Sequence, residues 1–389
     1  MKIPTILVSA ALTSSMPCFA GPESFFGDPP DATHPWAKHD QNRPQPPRVE
    51  PAAKPGDPPS DAVVLFDGTE ASMKQNWLHV RDNRKADWEF KDGAMQSTQG
   101  AGYIQSKAEF GDCQLHVEWA APSKVQGNGQ GRGNSGVFLM GIAEVQVLDN
   151  FNNPSYPDGS AGAVYGIMPP MANVLRPPSE WQSYDIIFRR PITKDGKVVD
   201  EGSMTVFVNG VLVQDHTPLE GGGGYRKRTQ PIPFPEKGSF PEKGALHLQD
   251  HGNPVRFRNI WYREIRKRPS DGGTDGQLSP EATQAKRAEI AAGVLKDAES
   301  LTGNAKMLRL LESLMYQPNE SVLKQVNQMG EAYVKELNSI AKDALPNRKG
   351  EVVEAYRAFR YMNEHKLIPA ANPTFSGLDE IMIANQWKK

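Results

Sequence analysis

Cysteine is almost absent from this chain, with Cys18 and Cys113 the only two in 389 residues. The first twenty residues have the pattern of an export signal: Lys2, an apolar run from Ile6 to Leu12, then Pro17 and Ala20 ahead of Gly21. Cleavage after Ala20 leaves Cys113 alone, so an exported protein of this sequence must be stable without an internal disulfide. The alternating setting of Cys113 predicts a small core residue and not a catalytic thiol. Pro17 before Cys18 argues against lipidation. Long apolar runs are also missing, and Ile6 to Leu12 is too short to span a bilayer. Charge of one sign is lacking too. The formal net charge is −2 and no basic block dominates either half, which speaks against nucleic acid and membrane surfaces as partners. A neutral or small molecule is the expected partner, and the periplasm or the exterior the expected location.

What is present falls into three stretches. Residues 21–60 are rich in Pro, Asp and Gln with little apolar periodicity, which predicts a disordered spacer. Residues 61–268 alternate short apolar runs with Gly, Asn, Asp and Pro, the pattern of a mainly β, antiparallel sandwich. Expected strands include 63–66, 88–90, 103–106, 113–120, 137–149 with a break near Gly141, 182–190, 204–208, 246–249 and 255–265. Val208-Asn209-Gly210-Val211 predicts a hairpin, because Asn-Gly suits the positive φ angles of a type I′ turn. Long loops at 123–134, 150–180 and 219–243 are of the length that is functional or disordered. The last holds Gly221 to Gly224 and a tandem echo, Phe234-Pro-Glu-Lys-Gly238 and Phe240-Pro-Glu-Lys-Gly244, read as a local duplication in a flap. After a linker at 269–278, Ser279-Pro280-Glu281 marks a helix start, and residues 279–389 carry the apolar spacing of four helices. Tyr333, Tyr356, Phe359 and Tyr361 there read as core.

Polar residues interrupt the strands in a regular way. Glu144 and Gln146 share one side of their strand while Val145 and Val147 take the other. Asp149 has the opposite parity and joins them only through a bulge near Leu148. His116 and Glu118 oppose Leu115, Val117 and Trp119, and Gln249 and His251 continue the parity of His247. Arg256 and Arg258 oppose Val255 and Phe257. These residue types suit directional hydrogen bonding to hydroxyls and proton transfer, and predict one polar, recessed sheet face. A solvated outer face is the plainer alternative.

The motifs Leu246-His-Leu-Gln249-Asp-His251-Gly-Asn-Pro-Val-Arg256-Phe-Arg258-Asn259-Ile-Trp261, Asn134-Ser-Gly-Val137, Glu144-Val-Gln146-Val-Leu-Asp149 and Phe66-Asp-Gly-Thr69 together resemble the 3-keto-disaccharide hydrolase family. The resemblance spans about residues 62–265 and leaves the helical region uncovered. It implies a concanavalin A-like jelly-roll sandwich with the site on a concave sheet face, and an oligosaccharide or glycoside substrate. Glucanases of related fold carry Glu-x-Asp-x-x-Glu on such a strand, whereas this chain reads Glu-x-Gln-x-x-Asp, which puts their double-displacement mechanism in doubt. A 3-keto sugar offers another route: the ketone acidifies the C2 proton, a base removes it, the glycosidic oxygen leaves C1, and water adds. Glu144 or Glu118 is expected as base and His251 or His116 as acid. Gln146, Gln249, Arg258, Asn134 and Asp149 are expected to hold hydroxyls or the enolate, and Tyr165 and Trp181 to stack on sugar rings. A divalent metal polarising the ketone is a further option, although the spacing matches no dedicated metal loop. A non-catalytic carbohydrate-binding module is the rival reading, and an oxidoreductase that makes the keto sugar is a third consideration, as a partner recruited by the helices.

Overall fold

Short strands dominate from Val63 onward because β-branched and aromatic residues alternate with polar ones between turn-forming glycines and asparagines. The computed structural model describes residues 24–219 and 241–388. The export-signal reading of residues 1–20 falls outside the described residues, as do Gly221 to Gly224 and most of the tandem echo. The described chain divides into a sandwich unit, residues 47–273, and a helical unit formed by residues 24–46 and 274–388.

In the sandwich unit the strands in chain order are β1 (Val63–Phe66), β2 (Trp77–His79), β3 (Glu89–Lys91), β4 (Ala94–Gln96), β5 (Ile104–Phe110), β6 (Cys113–Ala120), β7 (Ser135–Leu139) and β8 (Ala143–Val147). They continue with β9 (Gln182–Arg189), β10 (Ile192–Lys194), β11 (Lys197–Asp200), β12 (Ser203–Val208), β13 (Val211–Pro218), β14 (Gly244–Leu248) and β15 (Arg256–Glu264). One sheet has the order β13-β12-β9-β6-β15-β4-β3 with β1 also on β15; the other runs β2-β5-β14-β7-β8. All pairs in both sheets are antiparallel. The expected jelly-roll sandwich is therefore present.

One core joins the sheets. Val137, Val145, Val147, Leu246 and Leu248 of the five-stranded sheet pack with Val117, Trp119, Tyr184, Ile186 and Phe257 of the eight-stranded one. Side chains at the intervening positions consequently project outward from opposite sides of the sandwich. The Asn209-Gly210 hairpin forms as expected, with φ of +52° and +80°. Helix α1 (Glu70–Asn76), absent from the sequence reading, is capped by Thr69 Oγ1, which accepts from the Ser72 amide at 3.1 Å. Cys113 is fully buried, and burial pushes its thiol far above the ordinary range.

The helical unit contains α2 (Pro280–Glu299), α3 (Gly303–Tyr316), α4 (Glu320–Ser339), α5 (Lys349–Glu364) and α6 (Pro373–Ala384). That is one helix more than expected; Asn372-Pro373 starts α6 with the same cap-then-proline signal as Ser279-Pro280. Tyr333, Tyr356, Phe359 and Tyr361 are buried in its core. No helix among the described residues is long and apolar enough to cross a membrane.

The expected disordered spacer is instead ordered from residue 24 onward. Phe25 and Ala37 are buried in the helical core. Asn42 Nδ2 donates to Glu312 Oε1 at 2.7 Å, Arg309 donates to both Asn42 and Glu312, and the Tyr316 hydroxyl donates to the Asp40 carboxylate. Residues 47–60 lie against the sandwich, where the Gly56 carbonyl accepts from Asn259 Nδ2 at 2.8 Å and Trp261 Nε1 at 2.9 Å. Composition failed here because specific polar anchors hold these segments, and such anchors leave no periodic trace.

Candidate active site

The outer face of the five-stranded sheet carries a row that crosses four strands. Ile104 pairs with Leu248, so Tyr103 and Gln249 fall opposite each other just past the ends of β5 and β14. The Gln249 amide donates to the Gly136 carbonyl at 3.1 Å, and Gly136 pairs with Gln146. The row reads Tyr103, Gln249, Gly136, Gln146. In the next row His247 pairs with Phe138 and Phe138 with Glu144.

Glycine at 136 makes the row a pocket floor. A Cβ there would overlap Glu144 Oε1 and the Phe138 ring, so the missing side chain is the space the Glu144 carboxyl occupies. Above this floor a cavity of about 340 Å³ is lined by Gln130, Asn134, Glu144, Gln146, Tyr156, Tyr165, Gln249 and His251.

Among the described residues two loops wall the cavity. Segment 162–165 extends the sheet beyond β8: the Gln146 amide donates to Ala163 O at 3.0 Å, and the Tyr165 amide to Glu144 O at 3.1 Å. That pairing sets Tyr165 beside Glu144, and its hydroxyl meets that of Tyr156 at 2.9 Å. Gly159 has room only for its hydrogen under the Tyr156 ring. From the other loop, Gln130 accepts from Gln146 Nε2 at 3.0 Å, while Asn134 Nδ2 donates to the Gln130 carbonyl at 2.8 Å. The backbone beneath Gln146 is held through the core, where the buried Tyr184 hydroxyl donates to its carbonyl at 2.7 Å.

Burial alone raises the Glu144 carboxyl to about 8, so it keeps its proton at neutral pH. No side chain among the described residues hydrogen-bonds or pairs with it. Among the described residues, Glu144 and His251 are the pocket's carboxyl and imidazole, and amides and phenols make up the rest of its lining.

Of the expected site residues, Glu144, His251, Gln146, Gln249, Asn134 and Tyr165 come together here. Glu118, His116, Arg258 and Trp181 do not. β6 and β15 belong to the other sheet, and these side chains project from its outer side. His116 Nδ1 meets Asp185 Oδ1 at 2.7 Å, its ring stacks on Trp261, and Nε2 lies 3.7 Å from Glu118 Oε1. Arg258 Nε donates to Glu118 Oε2 at 2.6 Å and Asn259 Nδ2 to Oε1 at 2.9 Å. Burial opposes both charges, yet these partners raise His116 to about 9 and lower Glu118 to about 2, which fixes both as ions. Trp181 is covered by the guanidinium groups of Arg256 and Arg258 at 5.1 and 4.0 Å. The single polar face expected from parity is thus two faces.

Asp149 stands apart from both. β8 ends at Val147, and its register with β7 contains no bulge. The Asp149 carboxylate instead accepts from Arg132 Nε at 2.6 Å and from the Phe151 amide at 3.2 Å, bracing the loop that carries Gln130 and Asn134. Gln130 and Tyr156 escaped the sequence reading, although both lie in the long loops it marked. Among the described residues no three His, Cys, Asp or Glu side chains are grouped to hold a metal ion.

Comparison with known proteins agrees with this architecture. Residues 61–263 match the 3-keto-alpha-glucoside-1,2-lyase-like domain. A 3-keto-disaccharide hydrolase of Bacteroides thetaiotaomicron is 24% identical over 236 residues, 51% of this chain and 76% of that protein. The crystal structure of a candidate glycosyl hydrolase from Parabacteroides distasonis aligns with a TM-score of 0.52 at 40% identity, covering 57% of this chain and 93% of that one.

Proposed function

Because the chain belongs to the 3-keto-alpha-glucoside-1,2-lyase-like family, we propose that its pocket cleaves the glycosidic bond of a 3-keto-glycoside by elimination and hydration. The observation that carries this reading is the desolvated Glu144, set over Gly136 among amides that suit sugar hydroxyls. A retaining glycosidase needs two carboxyl groups about 5 Å apart. Among the described residues this pocket offers one.

In the proposed reaction Glu144, ionised in the productive form, takes the proton from C2. A base held near 8 is stronger than an ordinary carboxylate and still available near neutral pH. The electron pair passes into the C3 carbonyl as an enolate. Collapse of the enolate breaks the C1–O bond, and His251 gives a proton to the leaving oxygen. Water then adds across C1=C2, its hydroxyl to C1 and a proton back to C2. Tyr156 and Tyr165 offer ring surface to the sugar. The reaction consumes a keto sugar, so an oxidoreductase acting at the C3 hydroxyl must precede it. The leader-like pattern of residues 1–20 supports an exported enzyme.

The test is aglycone release from a 3-keto-glucoside and from its unoxidised parent, with and without chelator. Release from the keto form alone is expected. Release from both would mean ordinary glycosidase chemistry, and binding of either sugar without release would favour the carbohydrate-binding alternative, which the amide lining also suits.

A further inference from the structure

Gln249 has one half of its amide committed and the other half waiting. Its backbone is fixed at both ends: the amide donates to Gly136 O at 3.1 Å, and its carbonyl accepts from Ser135 Oγ at 2.6 Å. Its side-chain Nε2 donates to the Tyr103 hydroxyl at 2.5 Å. Tyr103 is itself held, since its carbonyl accepts from the Val80 amide at 3.0 Å and the neighbouring Gly102 amide donates to Asp250 Oδ2 at 3.1 Å. With Nε2 committed to Tyr103, Oε1 is the half of the amide left to accept. The Gln249 side of the pocket is lined by this residue, which is only 8% exposed. No donor among the described residues reaches its Oε1.

A buried carbonyl oxygen without a donor is costly unless something supplies one. The Tyr103–Gln249–Gly136–Gln146 row places Gln249 beside the glycine floor of the pocket it lines. We infer that Gln249 Oε1 is the acceptor that reads one hydroxyl of the bound sugar, and that Tyr103, outside the pocket lining, is the positioning residue that sets this acceptor polarity. Without Tyr103 the amide can turn over and present Nε2, a donor, to the same hydroxyl. The inference rests on the sugar-site reading above and deepens it. It assigns hydroxyl specificity to a residue pair that catalyses nothing.

The experiment measures kcat and KM on an aryl 3-keto-glucoside and on its 2-, 4- and 6-deoxy analogues. It compares the full chain with its Tyr103→Phe and Gln249→Met variants. One analogue is expected to lose about tenfold in kcat/KM on the wild-type protein. Both variants are expected to lose about as much on the parent substrate, mainly through KM, and to lose nothing further on that one analogue. A merely structural role would lower all substrates in parallel. Equal losses on every analogue would therefore overturn the inference, as would wild-type activity indifferent to all three deoxygenations. If the wild-type protein releases no aglycone from any keto substrate, the sugar-site reading falls and takes this inference with it. Activity without the coupling sinks the inference alone. Should Tyr103→Phe not fold, the wild-type analogue panel together with Gln249→Met still decides.

Discussion

Glu144→Gln replaces a carboxyl that is neutral in the folded protein by a neutral group of the same shape, so its effect on stability is a function of pH. Below about 4.5 the folded and unfolded wild-type chains both hold the Glu144 proton, and the residue contributes no pH dependence. Between about 4.5 and 8 the unfolded chain releases that proton while the folded chain keeps it. The folded state then binds more protons, so wild-type stability falls as pH rises through this window and levels off above 8. Each pKa unit corresponds to about 1.4 kcal/mol, which caps the loss at roughly 5 kcal/mol. Water entering through the pocket mouth reduces this to roughly 2–3 kcal/mol. The Gln variant lacks the slope. Urea unfolding of both proteins at pH 4.5, 6 and 8, followed by the fluorescence of the sandwich tryptophans, should show curves that agree at pH 4.5 and diverge by pH 8, the variant being the more stable. Parallel pH profiles would show that Glu144 ionises normally. Burial in the pocket would then not hold its proton.

Other outcomes follow from the same geometry. Gly136→Ala puts a methyl group where Glu144 Oε1 lies, and should cost about 1–3 kcal/mol in thermal unfolding and at least a hundredfold in kcat, whereas Gly210→Ala, in an open turn, should leave kcat unchanged. Glu118→Gln, on the other sheet, removes a partly buried ion partner of Arg258 and should lower the unfolding midpoint while kcat/KM of the folded protein stays within about threefold. A loss of more than a hundredfold at full folding would return Glu118 to the active site. Asp149→Ala releases Arg132 and should raise KM about tenfold with little change in kcat, because it frees the loop holding Gln130 and Asn134; an unchanged KM would show that this loop does not touch substrate.

Much of the fold could be read directly. Alternation of Leu115, Val117 and Trp119 with His116 and Glu118 marks a strand because side chains in extended backbone alternate between faces, and that rule is local. The Asn209-Gly210 turn and the Ser279-Pro280 helix start are local in the same sense. α1 and β2 were hidden because a seven-residue helix and a three-residue strand carry too few positions for a period to emerge. Residues 24–60 were hidden for the opposite reason: Phe25, Asn42 and Gly56 are held by partners far along the chain.

The sequence by itself determined which residues point away from the core, since parity follows from strand geometry alone. Glu144, Gln146, Gln249 and His251 were legible as outward-facing, and so were His116, Glu118 and Arg258. Parity does not say which outward face. Only the tertiary structure decided that, because membership of a sheet depends on hydrogen bonds between strands distant in sequence: β8 pairs with β7, and β6 with β15 and β9. That division leaves Glu144 as the one carboxyl that the described residues bring to the pocket, over a glycine whose purpose appears only when the neighbouring strand is in place.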